Sequence, residues 1–207
     1  MTRPAVPARS LAIAAIASAV SALLPAAAAH AAPVSILVRG ADGAPLPGAI
    51  VSVEAPGIAA PAPRGPYAVE QRDIQFQPHV LIVPVGATVA FPNRDKVRHH
   101  VYSFSKPKKF DLKLYGRDDT RTVTFDQPGV IALGCNIHDA MTGFVFVTAT
   151  PFTAQTDASG RIAFGNVPAG AVTVRVWHPS IRAAGNSLSQ GAQVAAAGLS
   201  TTLTLRR

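Results

Sequence analysis

The chain has 207 residues, with 19 lysines and arginines against 11 aspartates and glutamates, a formal charge of +8 and a single cysteine. One cysteine excludes an internal disulfide framework. The length suffices for one large or two small domains with packed cores.

Arg3 and Arg9 precede an apolar stretch of 14 residues from Leu11 to Leu24, and Ala29-His30-Ala31 then gives a small-residue cleavage pattern. This predicts a secretory signal peptide over residues 1–31, with the mature protein starting near Ala32. A membrane-spanning helix needs about 20 apolar residues, and no comparable run follows. The mature protein is therefore expected to be periplasmic or secreted and to carry no transmembrane segment. Adjacent twin arginines are absent, which favours export of the unfolded chain. Taking Arg3 and Arg9 from the 19 cations leaves 17 against 11 acids, a mature charge of +6.

Helical periodicity is hard to find beyond the leader, whereas Val, Ile, Thr and Phe cluster in short runs broken by Gly, Pro and Asp. That pattern predicts an all-β protein. Val34 to Arg39, a turn at Asp42-Gly43, and Ile50 to Val53 after Pro47-Gly48-Ala49 open the chain, followed by an Ala/Pro/Gly linker from Ala55 to Pro66. In the middle the predicted strands are Val80 to Val83, Ala87 to Phe91, Val101 to Ser105, Thr120 to Phe125, Gly129 to Leu133 and Gly143 to Val147. Toward the end, Asp157-Ala158-Ser159-Gly160 is a hairpin turn before Arg161 to Phe164. Beyond Val167-Pro168-Ala169-Gly170, Val172, Val174 and Val176 face one way and Thr173, Arg175 and Trp177 the other; Leu199, Leu203 and Leu205 repeat the alternation.

Cys135 stands in Cys135-Asn136-Ile137-His138-Asp139-Ala140-Met141, a Cys-x-x-His-x-x-Met run that offers one metal a thiolate, an imidazole and a thioether from a single loop. A second histidine is available upstream in His99-His100-Val101. Two histidines, a cysteine and a weak axial methionine suit one type 1 copper ion, because neither Cu(I) nor Cu(II) finds its preferred geometry there. In an oxidising compartment an unpaired thiol is a liability that metal ligation explains. A structural zinc would want more Cys or His ligands and gain little from Met141. Met141 as plain core filler is the alternative reading of that residue.

Three stretches, Val83-Pro84-Val85-Gly86-Ala87-Thr88-Val89-Ala90-Phe91-Pro92-Asn93, His99-His100-Val101 and the Cys135 to Met141 loop, make residues 67–148 resemble a cupredoxin of the plastocyanin and amicyanin kind. The runs "G-C-N-I-H-D-x-M" and "H-H-V-Y-S-F" are similar to a subgroup labelled methylamine utilization proteins. The resemblance implies a Greek-key β-sandwich and a metal set of His99, Cys135, His138 and Met141. It also puts His100 where the family has an asparagine that braces the copper loop, with Asn136 joining that brace. Strand neighbours point to opposite faces, so only one of His99 and His100 is a ligand. Residues 32–66 and 149–207 together resemble a carboxypeptidase-regulatory-like, or transthyretin-like, β-sandwich. Gly43 to Val51 carries its "G-x-x-L-x-G-A-x-V" start; Thr156-Asp157-Ala158-Ser159-Gly160 and Pro168-Ala169-Gly170 carry the rest. The copper domain would then be inserted into a turn of that second small sandwich.

These readings imply a non-enzymatic electron carrier of the periplasm. Between Arg94 and Arg121 nine cations face four acids, an excess that would steer an acidic redox partner such as an amine dehydrogenase or a cytochrome. Nucleic acid is a poor partner, since no aromatic-interleaved basic motif occurs. Multicopper enzymes need more histidines than His79, His100 and His178 leave over, and those at 79 and 178 read as structural or surface residues. A copper-delivery or envelope-binding module is the alternative function. Phe91, Phe104, Phe110, Phe125, Phe144 and Phe146 read as core or as an apolar rim around the copper.

Overall fold

The computed structural model describes Met1 and residues 31–205. The signal peptide expected over 1–31 lies, apart from its two end residues, outside the described residues. Two strands open the described chain, Ala31–Arg39 (β1) and Ile50–Glu54 (β2). Ten follow in the middle: Tyr67–Ala68 (β3), Glu70–Arg72 (β4), Gln75–Gln77 (β5), Val80–Pro84 (β6), Ala87–Pro92 (β7), His99–Ser103 (β8), Phe110–Tyr115 (β9), Thr120–Phe125 (β10), Gly129–Gly134 (β11) and Thr142–Thr148 (β12). Thr153–Gln155 (β13), Arg161–Pro168 (β14), Gly170–Trp177 (β15), Ser187–Val194 (β16) and Leu199–Thr204 (β17) complete the set. The protein is all-β, and the described residues hold no helix long and apolar enough to cross a membrane.

The opening strands pair with the closing ones. One sheet runs β14-β1-β17 and the other β13-β2-β15-β16. Ala32, Val34, Ile36 and Val38 project from β1 into a core shared with Val51 and Val53 of β2 and Val172, Val174 and Val176 of β15, as period-2 alternation requires. The join between residues near 46 and near 156 is built by Thr156, whose buried hydroxyl accepts from Ala49 N (3.0 Å) and donates to the Leu46 carbonyl (2.7 Å). Asp157 closes the next turn by accepting from Ser159 N, Ser159 Oγ and Arg161 N at 2.7–2.9 Å. Gly160 follows at φ 73°, where a Cβ would meet the Val38 carbonyl oxygen at 2.5 Å, so the position requires glycine.

The middle strands form a second pair of sheets, β10-β7-β3 and β6-β12-β11-β8-β9, with a small β4-β5 ribbon beside them. Between them lies a separate core of Val83, Val89, Phe91, Val101, Phe125, Ile131, Val145 and Val147, which also takes in Cys135 and Met141. Val85-Gly86 steps the chain from one sheet to the other: Val85 N bonds the Thr148 carbonyl and Gly86 N the Phe125 carbonyl.

Two departures from the sequence expectation have physical causes. The strand expected over Val101 to Ser105 starts at His99 and stops at Ser103, leaving Phe104, assigned to core or copper rim, 78% exposed. β9 was not anticipated, because Asp111 and Lys113 interrupt its apolar residues and the strand is a sheet edge with exposed outward positions. Trp177, on the outward face of β15, is buried to 2% because that face meets β12. Phe144 and Phe146 stack on it at 5.0 and 6.2 Å, and Ile50 joins the seam. β12 is accordingly apolar on both faces, with Val145 and Val147 turned inward.

Candidate metal centre

The loop between β11 and β12 is anchored at its base, where Gly134 pairs with Thr142. That pairing places Cys135 and Met141 at the two sides of the loop mouth, buried to 3% and 1%. Inside the loop Met141 N donates to the His138 carbonyl at 2.8 Å, a turn that directs the His138 ring back toward Cys135. Cys135 Sγ lies 3.8 Å from His138 Nδ1.

His99 enters from β8, fully buried, with its ring 5.0 Å from that of His138 and tilted by 58°. The ligand atoms of His99, Cys135 and His138 all lie within 4.8 Å of one another. His99 rather than His100 belongs to this cluster. Met141 is packed in the same core as Cys135, while His79 lies against Phe144 and His178 against Ser180, both outside the cluster.

The support of His99 was not read from the sequence. Its Nε2 meets Asp95 Oδ2 at 2.6 Å, and the Asp95 carboxylate also accepts from Asp73 N (2.7 Å) and Ile74 N (3.0 Å). Asp73 and Ile74 are the two turn residues between β4 and β5, and both sit at positive φ, 55° and 58°. Neither is glycine, so the turn is strained by roughly 1–2 kcal/mol per residue, and the carboxylate satisfies the N–H groups it leaves unpaired. Burial pushes the Asp95 carboxyl up, but the hydrogen bonds from Ile74, His99 and Asp73 outweigh it and hold the group below its ordinary value. Asn93, also fully buried, pins the same loop by donating to the Val97 and Tyr115 carbonyls and accepting from Asp95 N. The signal available in the sequence was Asn-x-Asp four residues before His99, a spacing that lets short polar side chains bind neighbouring backbone.

With Nε2 committed to Asp95, His99 Nδ1 is buried and has no hydrogen-bond partner. A buried imidazole nitrogen without a partner costs free energy, unless a metal takes its lone pair. A thiol and a second imidazole beside it make the donor set one that copper prefers and magnesium or calcium does not. The residues present therefore fit a copper ion.

The expected brace is present in part. His100 N donates to Cys135 Sγ at 3.5 Å, so the contact to the loop is made by backbone. Its side chain turns away to Asp111, whose carboxyl is held far below the usual range by His100, then by Lys113. Asn136 is exposed and makes no side-chain hydrogen bond among the described residues. His100 thus contacts the loop as expected, through its main chain, while Asn136 does not join it.

A sandwich whose hairpin β11-β12 carries a Cys-to-Met loop beside a histidine from a neighbouring strand is the arrangement that the resemblance of residues 67–148 to cupredoxins implies. Several solved structures align with part of the chain. A copper-containing nitrite reductase from Thermus scotoductus SA-01 aligns at 31% identity over 45% of this chain and 24% of its own, with a TM-score of 0.39. A purple cupredoxin from Nitrosopumilus maritimus aligns at 25% identity over 40% of this chain and all of its own length, TM-score 0.36. A reduced amicyanin variant aligns at 23% identity over 47% of this chain and 99% of its own, TM-score 0.38. The aligned part thus spans about a quarter of the nitrite reductase. No protein-family profile and no curated protein matches the chain.

Proposed function

We propose that the protein is a periplasmic electron carrier in which His99, Cys135 and His138 would hold one type 1 copper ion, with the Met141 thioether as a fourth, weaker donor. The observation that carries this reading is the convergence of one ligand atom each from His99, Cys135 and His138 within 4.8 Å of one another, at a place where His99 also keeps a buried, unpartnered Nδ1. A copper ion bound there supplies a Cu(II)/Cu(I) couple. The chain's own part is to keep the donors in place: Asp95 fixes the His99 ring, His100 N–H stabilises the thiolate, and the core around Cys135 and Met141 excludes water. His138, the least buried of the three, is the ligand nearest solvent. The excess of cations between Arg94 and Arg121 fits an acidic partner, an amine dehydrogenase or a cytochrome.

A carrier is favoured over an enzyme because the remaining histidines among the described residues build no further centre: His100 is committed to Asp111, and His79 and His178 flank the Phe144–Trp177 seam. We further propose that the copper unit is inserted into a flanking sandwich made by the two ends of the chain.

Purified protein loaded with Cu(II) is expected to show intense thiolate-to-copper absorption and reversible one-electron cycling, both lost in Cys135→Ser. Colourless binding that passes copper to a chelator would instead establish a delivery module, and an undisturbed spectrum in Cys135→Ser would end the proposal. Met141→Leu is expected to retain the colour and shift the reduction potential.

A further inference from the structure

We propose that His100, Tyr102 and Phe104, in a row on the outer face of β8 and just beyond it, form the contact through which an acidic one-electron redox protein exchanges its electron with the copper site. This inference rests on the carrier reading above and names the docking face for it.

The row starts at the thiolate. His100 N donates to Cys135 Sγ, and Tyr102 pairs across the sheet with Gly134, the residue before the cysteine. A Cβ on Gly134 would lie 2.7 Å from the Tyr102 ring, so the absence of a side chain there lets the ring lie on the backbone leading into Cys135. The His100 and Tyr102 ring centroids are 5.3 Å apart, and those of Tyr102 and Phe104 are 5.1 Å apart. Both spacings are those of aromatic rings in contact. Electron tunnelling favours bonded and contacting atoms over gaps, and this row has none between the cysteine and the surface.

Its outer end is open. Phe104 is the most exposed large apolar side chain between residues 31 and 205. A solitary exposed phenylalanine is ordinary; one stacked at the end of a continuous row from a thiolate is a placed contact. Lys106 and Lys109 are exposed on the loop that follows Phe104 and make no ion pair among the described residues, whereas Lys108 is held by Asp126 at 3.2 Å. Two free cations around an apolar centre complement an acidic surface, and redox encounters need only a small interface. The exchange moves one electron: the donor loses it, the ion changes between Cu(II) and Cu(I), and no bond or proton is transferred.

Two measurements test the port. In isotope-labelled, metal-free protein, the paramagnetic anion hexacyanochromate(III) is expected to broaden the amides from Phe104 to Lys109, and Lys106→Glu with Lys109→Glu to remove the broadening. In copper-loaded protein at low salt, oxidation of the Cu(I) form by hexacyanoferrate(III) is expected to slow roughly tenfold in that double variant through lost steering. It should also slow several-fold in Phe104→Ala, with absorption spectrum and reduction potential unchanged in both. Broadening confined to Asn136 to Asp139, no broadening, or variants oxidised at the parent rate would overturn the port while a coloured, cycling protein upheld the carrier. A colourless protein would overturn the carrier and the port with it.

Discussion

The two cores of this protein are made of the same apolar residues and differ in what polar groups they tolerate. The core shared by the chain ends buries little beyond Ser52, Thr150 and Thr156, each a small hydroxyl. The middle core buries Gln71, Asn93, His99 and His100, with Asp95 close to buried, and leaves nitrogens of both histidines without partners. Unsatisfied buried polar groups cost free energy, and among the described residues the middle core carries three such atoms, on Gln71, His99 and His100, against one in the flanking strands, Ser187 Oγ, so it gives up more stability. Asn166 and Asn186 of the flanking region also lie at positive φ, but the middle region sets two such residues side by side, Asp73 and Ile74, directly behind the candidate ligand. Local rules broken together in one place mark a site under functional constraint.

The contrast predicts separable mutants. Ile36→Ala, in the fully apolar core, is expected to cost about 2–5 kcal/mol of stability, read by denaturant unfolding, while the copper absorption of the folded protein stays as it was. If the spectrum changed along with stability, the two cores would not be independent in the sense argued here. Asp95→Asn is the reverse probe. It keeps the shape but removes the anion that orients His99 and holds the strained turn, and it should weaken copper binding by about 10–100-fold. Competition against a chelator measures this, and an unchanged affinity would show that His99 is fixed by packing alone.

Much of this was legible in the sequence, for reasons that can be stated residue by residue. Thr120 to Phe125 was placed at its observed ends because alternating β-branched residues between turn signals leave little choice of register. Cys135, His138 and Met141 were legible because ligands in one short loop need no tertiary information to be grouped. His99 was harder, since only the strand's facing decides between it and His100. Asp95 was invisible for the same reason: its role depends on the β4-β5 turn lying against it, a contact between residues 22 apart in sequence. β9 escaped the sequence reading because Asp111 and Lys113 break the apolar pattern of an edge strand, and Phe104 did because an exposed phenylalanine contradicts the usual sorting of aromatic residues inward.

The smallest expected effect lies where the two regions meet. Trp177 is the chain's one tryptophan, and it fills the seam against Phe144 and Phe146, so its fluorescence reports the junction alone. Beside it, His178 gives Nδ1 to a hydrogen bond with Ser180, and its pKa is lowered by burial first and by His79 second. A histidine with a depressed folded pKa favours the neutral form, so its contribution is complete above the ordinary value of about 6.5 and is lost as pH falls through the lower folded value. Trp177 emission should therefore move toward longer wavelength, and the unfolding midpoint should drop slightly, as pH is lowered from about 7 to about 5. His178→Gln should flatten that dependence, and His79→Gln should shift it to higher pH by removing the neighbouring charge. A seam indifferent to pH in the parent protein would mean that the junction is held by Ile50, Trp177 and the two phenylalanines without help from the imidazoles beside them.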